Sequence, residues 1–331
     1  MSLSSLNQPS ILASSGIAAG IALPLIETAI ENGSLPFEVV RILNSVLYAL
    51  NVYATSQPGR IDEQDQVEFS KGKSSASFSS SKGQIPGSFK EMKRLTPSSR
   101  GRNMLVPSGW AFAIWAPIFI GELLFCAASF ALDGKSELAG VVKQVSNGFM
   151  MSQLFQVLWT AAFRPKHTGK AAYLSAVMLS GIAWSLSRAH QAFTADRSYN
   201  LMSYLIFFLP LSLHFGWTTV ASLVTLNGTF AMSKVVSGRI LAWAGHVSVV
   251  AATALAVSVT IIRQAPIYGC VLAWALTAVA TEMQKRVEDT VKEDPSLPGI
   301  YGAKTQRWLS LSGATVSAAT SLAVAVKSKS K

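Results

Sequence analysis

The chain has 331 residues, half of them hydrophobic and only 14% charged, where an ordinary soluble protein carries about 25%. That excludes a set of soluble domains of the size its length would allow, because the apolar residues gather in charge-poor runs long enough to cross roughly 30 Å of hydrocarbon. The net charge of +11 sits in the segments between these runs, so it marks loops and membrane lipids as partners and excludes a nucleic-acid-binding face.

In chain order, residues 1–36 read as an N-terminal targeting or interfacial segment. Within them "ILASSGIAAGIALPLI", 11–26, is apolar but short, and it lacks the Lys/Arg start of a secretory signal. Gly16 and Gly20 make a GxxxG, and the stretch is left open between a processed or interfacial segment and a true span. The first span is expected over 37–55. Residues 56–103 follow as a disordered basic loop with nine Lys/Arg and the low-complexity run "SKGKSSASFSSSKG", which cannot bury a core. Spans over 104–132, 146–163, 171–187 and 201–226 make a core of helices two to five at 104–226. Three more, 242–262, 265–281 and 308–326, fill 227–326, and a basic tail occupies 327–331. Backbone amides in lipid must be satisfied within their own segment, and the alternation of a membrane barrel is absent. The fold class is therefore all-α integral membrane with about eight transmembrane helices. Most Lys/Arg fall on the side holding the 56–103 loop, which the positive-inside rule puts toward the cytosol or its equivalent.

Chemistry-bearing motifs are few. Cys126 and Cys270 both lie in expected spans, and the four histidines stand at no ligand spacing, so neither a disulfide framework nor a metal site is expected. Phosphate-binding, hydrolase and dinucleotide motifs are missing, and no nucleophile–base pair marks an enzyme. Asn227-Gly228-Thr229 matches a glycosylation sequon at a helix end, by chance on this reading.

The polar and aromatic residues inside the spans carry more. On a helix, Ser108, Ala111, Trp115, Ile118, Glu122, Cys126 and Ser129 share one stripe. A carboxylate facing lipid costs several kcal/mol, so Glu122 should point into the bundle or a wet cavity. Pro210, His214, Trp217, Ala221 and Thr225 form a matching stripe, and His214 is the best partner for Glu122. Gln153, Gln156 and Trp159 are placed together on a third helix, while Trp243 with His246 and Cys270 with Trp274 repeat the pattern more weakly. Trp110, Trp243 and Trp308 also fit interfacial anchors, and for Trp115, Trp159 and Trp217 pocket lining and plain packing stay open.

"PSGWAFAIW", Pro107 to Trp115, resembles the signature P-P-x-W-x-F-x-x-x-W of the tryptophan-rich sensory protein/translocator protein (TspO/MBR) family, which opens that family's second helix. "QLFQVLWTAAF", Gln153 to Phe163, is similar to its third helix, and "LPLSLHFGWTTVASLVTLN", Leu209 to Asn227, to its fifth. "IYGCVLAWAL" resembles the tail of an elongated branch with extra helices. The likeness runs over about 37–326, with a five-helix core at 37–226. Ser108 replaces the second Pro, Phe112 and Trp115 are one residue closer than usual, and Thr225 stands where the family has Asn.

The resemblance implies a bundle pocket for a hydrophobic ligand such as a tetrapyrrole or sterol, serving sensing, sequestration or transport. Carried residue by residue, Pro107, Trp110, Phe112, Trp115, Gln156, Trp159, Trp217 and Ala221 line or shape it, with Glu122 and His214 meeting a pyrrole nitrogen, a metal or a hydroxyl. No cofactor is required, although porphyrin or heme is a candidate ligand. A proton-coupled transporter using Glu122 and a ligand-free structural subunit are the alternatives. The serine-rich, acid-poor start points to a eukaryotic organelle membrane, plastid or mitochondrial, and the resemblance allows a homodimer.

Overall fold

The computed structural model describes residues 8–57, 102–164, 167, 169–195, 199–233, 235–288 and 299–329. All but the first and last two residues of the expected 56–103 loop lie outside these, as do residues 1–7 and 330–331.

Nine helices of fifteen residues or more form an up-and-down bundle among the described residues. They are α1 Pro9–Glu31, α2 Phe37–Ser56, α3 Trp115–Ser129, α4 Glu137–Ala162, α5 Tyr173–Ala195, α6 Leu209–Ala231, α7 Gly238–Ile262, α8 Pro266–Glu288 and α9 Gly299–Lys329. Alternating direction gives the bundle two ends. Short connections at 32–36, 130–136 and 263–265 define a turn end; the opposite, loop end holds the exit at Gln57 and the return at Arg102.

Local chemistry sets the boundaries. Pro9 and Pro266 open α1 and α8, where a missing N–H is harmless. Ser136 caps α4 by accepting from the Ala139 N–H and Ser237 caps α7 through Ile240, each satisfying an orphan donor. Gly33 closes α1 at φ 79°, a left-handed position that suits glycine. Before α6 the chain makes one helical turn, Leu201–Ser203, and one wide turn, Tyr204–Phe208. Pro210 cannot donate to the preceding turn, and the ladder widens there instead of breaking.

Among the described residues six helices are long and apolar enough to cross a membrane, including Pro9–Ile30 of α1, the stretch the sequence left undecided. It packs on α4 and α5 through Leu12, Ala19 and Leu23. α2, α4 and α5 have the length but less apolar density, because they turn Asn44, Asn51, Ser146, Gln153 and Ser185 inward. Ile17, Ile21, Leu123, Leu124, Val247 and Val250 are exposed, the inverse of a water-soluble surface and the one lipid requires.

The expected 104–132 span is corrected at its start. Residues 103–108 are extended and buried, 109–114 form a 3-10 turn, and the α-helix begins at Trp115. Pro107 bars the helical region to its predecessor, and other helices take up the freed backbone groups. Gln306 of α9 donates to the Met104 carbonyl at 3.0 Å, Arg286 of α8 to that of Asn103 at 2.7 Å, and the Ser108 N–H to the Ala278 carbonyl at 3.0 Å. Arg102 donates to the carbonyls of Ala231, Ser233 and Val236, capping the C-terminus of α6. Other limits move too: α4 starts at 137 rather than 146, α9 at 299 rather than 308, and α9 runs through Lys329, into the expected basic tail.

Candidate functional site

Glu122 lies mid-way along α3, where α3 crosses α6. The crossing is close because residue 121 is glycine: a Cβ there would stand 2.4 Å from the Pro210 ring. Glu122 is fully buried. Its Oε1 lies 2.6 Å from His214 Nδ1 on α6, and its Oε2 accepts from Gln153 Nε2 on α4 at 3.1 Å. Gln153 Oε1 accepts from Asn51 Nδ2 on α2 at 2.6 Å, and Asn51 Oδ1 from the Thr55 hydroxyl at 3.0 Å. A polar chain thus links four helices at mid-depth and climbs α2 toward the loop end. Tyr48 ties α2 to α3 by donating to the Phe119 carbonyl at 2.8 Å.

Aromatic rings stand on the loop-end side of this chain. Trp115 precedes Glu122 by seven residues, roughly 10 Å of helix rise. Trp217 follows His214 by one turn on a helix running the other way, so the two indoles reach the same side. Their rings meet edge-on at 6.3 Å, Trp115 meets the His214 ring at 5.5 Å, and Phe112 meets Trp217 at 5.4 Å. Such offset and edge arrangements are the favoured ones for aromatic pairs. Trp217 is buried, Trp115 and Ala221 are half-buried, and Phe112 is 40% exposed.

α4 closes the third side. Phe149 packs on Phe125 of α3 at 4.7 Å, and Gln156 follows Phe149 by seven residues, so it presents to the same neighbour. Trp159, one turn further, stacks on Phe163 at 5.3 Å. Gln156 is fully buried, yet neither amide atom has a protein partner; the same holds for Trp159 Nε1 and for His214 Nε2. These atoms lie at the polar chain or within two turns of it on the loop-end side. Buried polar atoms are nearly always paired, and here unpaired ones fall on His214, which meets the Trp115 ring, and on the stretch of α4 that follows Gln153.

The stripes named from sequence therefore converge unevenly. Glu122, His214, Trp115, Trp217 and Phe112 meet directly. Gln156 and Trp159 follow Gln153 along α4 by three and six residues and make no hydrogen bond or ring contact to that group. Pro107 is buried in the extended segment. Trp110 lies beside Trp274, 4.5 Å between rings, at 41% exposure, and makes no ring contact with Trp115 or Trp217. Trp243 and Trp308 also point outward. Gln153, named only as a companion of Gln156, proves to be the second partner of Glu122, and Asn51 and Thr55 were missed. Their signal was present, since Asn44, Tyr48, Asn51 and Thr55 repeat at helical spacing on an apolar helix.

In the neutral tautomer of His214 whose Nδ1–H donates to Glu122, Nε2 presents a lone pair for an N–H donor or a metal. Among the described residues no three His, Cys, Asp or Glu side chains stand together as a metal cluster.

A family model described as TSPO-like protein matches residues 85–293. The match takes in α3 to α8 and leaves α1, α2 and α9 outside, narrower than the 37–326 expected from the motifs. No curated protein and no solved structure matches the chain.

Proposed function

The chain belongs to the TSPO-like protein family and is a multi-pass membrane protein, and on that footing we propose that it binds a flat hydrophobic ligand against the Trp115–Trp217 wall, for sensing, sequestration or transport. The observation that carries this reading is the group of unpaired buried atoms on Gln156, Trp159 and His214. Each such atom costs about 1–3 kcal/mol when left unmade, and a ligand that pairs them recovers that cost. Trp159 Nε1 only donates, His214 Nε2 accepts in its neutral form, and the Gln156 amide does both. The ligand must therefore offer acceptors and a donor on an extended apolar body. A tetrapyrrole with pyrrole N–H groups and carboxylates meets all of these, whereas a sterol brings one hydroxyl; flat rings also gain most from aromatic walls. If heme is the form bound, His214 Nε2 is the group available to its iron.

The test is a titration of the full chain in detergent with protoporphyrin IX, heme and cholesterol, read by tryptophan quenching, with Trp115→Leu and Gln156→Leu alongside. Saturable binding of a tetrapyrrole, weakened by both changes, supports the reading; non-saturating quenching that neither change alters is partitioning into the micelle and refutes it.

One observation favours a second reading, proton-coupled transport: the buried carboxylate–imidazole contact continues through Gln153, Asn51 and Thr55 toward the loop end. Intramembrane ionisable pairs are frequent parts of proton relays. In liposomes, Glu122→Gln would abolish ligand flux driven by a proton gradient while sparing binding; flux that survives the change removes this reading.

A further inference from the structure

A second site lies at the turn end, where α1, which precedes the family match, meets α4 and α5 within it. A cavity of about 120 Å³ opens there, lined by Glu27 and Ile30 of α1, Gln144 and Asn147 of α4, and Arg188 of α5. Asn147 is 4% exposed. Its Nδ2 donates to the Leu23 carbonyl at 3.0 Å, but its buried Oδ1 has no protein partner, so a residue that lines the cavity holds an acceptor that calls for a donor. Arg188 meets both Glu27 oxygens through the single nitrogen Nη2, at 2.5 and 2.6 Å. Its remaining guanidinium N–H groups suit an anion, and the side chain is 45% exposed. An exposed ion pair that merely anchors two helices at an interface needs neither a cavity nor an orphaned carbonyl beneath it.

The apolar surface below the cavity continues the argument. On α1, Gly16, Gly20 and Glu27 share one stripe, and on α5 Val177, Trp184 and Arg188 share another. A Cβ on Gly16 would press on Met178 of α5, whereas one on Gly20 would meet nothing within 4 Å. The GxxxG of α1 therefore touches α5 at one glycine and leaves space at the other. Trp184 and Val177 are 49% and 57% exposed, on the membrane side of Arg188. The two helices thus present a charged and hydrogen-bonding head above an apolar groove.

We propose that this crevice binds a phospholipid with a phosphoethanolamine headgroup: phosphate on Arg188, ammonium between Asn147 Oδ1 and Glu27, and an acyl chain along the Gly20–Trp184 groove. A choline headgroup carries no N–H to donate to Asn147. A glycerol headgroup can donate but brings no cation for Glu27.

The test is native mass spectrometry of the full chain in a mild detergent, titrated with phosphatidylethanolamine, phosphatidylcholine and phosphatidylglycerol of matched chains. The ethanolamine lipid is expected to be retained about tenfold more than the choline lipid, the worth of one charge-assisted hydrogen bond. Arg188→Gln with Glu27→Gln should erase that preference, and Gly20→Leu should lower retention of every lipid. All three positions are partly exposed or open, so the variants fold, which an unchanged elution profile verifies. Equal retention of ethanolamine and choline lipids overturns the proposal, as does a preference that survives the double change. Stronger retention of the glycerol lipid overturns the ethanolamine assignment.

Discussion

Replacing Gln156 by Leu should make the ligand-free protein more stable and the ligand-bound one less so. Gln156 is fully buried on α4, and neither its Nε2 nor its Oε1 has a protein partner. Leucine has nearly the same volume and no polar atom to desolvate. Leaving a buried group unpaired costs about 1–3 kcal/mol, so Gln156→Leu should raise the unfolding free energy by about that amount. Equilibrium unfolding in mixed dodecyl maltoside and SDS, followed by tryptophan fluorescence, measures it. Repeating the measurement with saturating protoporphyrin IX should shrink or reverse the gain, because bound ligand stabilises by RT ln(1 + [L]/Kd) and the variant has lost a polar contact. A variant destabilised by more than about 1 kcal/mol without ligand would show that the amide is already satisfied, and the site argument would lose its main support.

Other expectations follow from the same geometry. Glu122→Leu orphans His214 Nδ1 and Gln153 Nε2 together and should cost about 2–6 kcal/mol, while Glu122→Gln, which still donates and accepts, should cost well under half of that; the same unfolding assay separates them. Gly121→Val drives a side chain into Pro210 and should cost about 1–3 kcal/mol together with ligand affinity, since Glu122 and His214 are held by that crossing. Phe112→Ala, at a half-exposed ring, should cost about 1 kcal/mol of stability yet weaken tetrapyrrole binding measurably in the quenching titration. Gln306→Leu removes the bonds to the carbonyls of Met104 and Gly245 and the contact with His246; hydrogen exchange should then rise over residues 103–108 before it rises in α3.

Much of this was legible because lipid is an exacting solvent. Every long apolar run had to be a helix, and a lone glutamate in one had to face inward and find a partner, which singled out His214. The stripe of Ser108, Ala111, Trp115, Ile118, Glu122, Cys126 and Ser129 is buried or half-buried throughout, although its first two members precede the α-helix and are buried by the docked segment rather than by helical phase. Less legible was the choice among polar candidates. Gln153 and Gln156 stand three apart on one helix, yet one is bonded at both ends and the other at neither, a difference set by where α2 lies. The course of residues 103–108 depended on carbonyl partners on α8 and α9, which no local pattern encodes. Spacing likewise marked Gly16 and Gly20 as a packing motif; only the position of α5 shows that one of the two is left uncovered.

The bonds that seat the segment before α3 reach back 183 residues from Arg286 and 202 from Gln306. A chain is made from its N-terminus, and domains or helices made early wait for those made late. Met104 and Leu105 therefore leave the ribosome long before α8 and α9 exist to hold them. Until the final helix is inserted, the stretch leading into Trp115 lacks the last of its anchors, the Gln306 bond to the Met104 carbonyl. Biogenesis thus has a built-in order: the aromatic wall can assemble early, but its entrance is fastened last, and a chain cut short before α9 would carry the ring residues without the clasp that positions them.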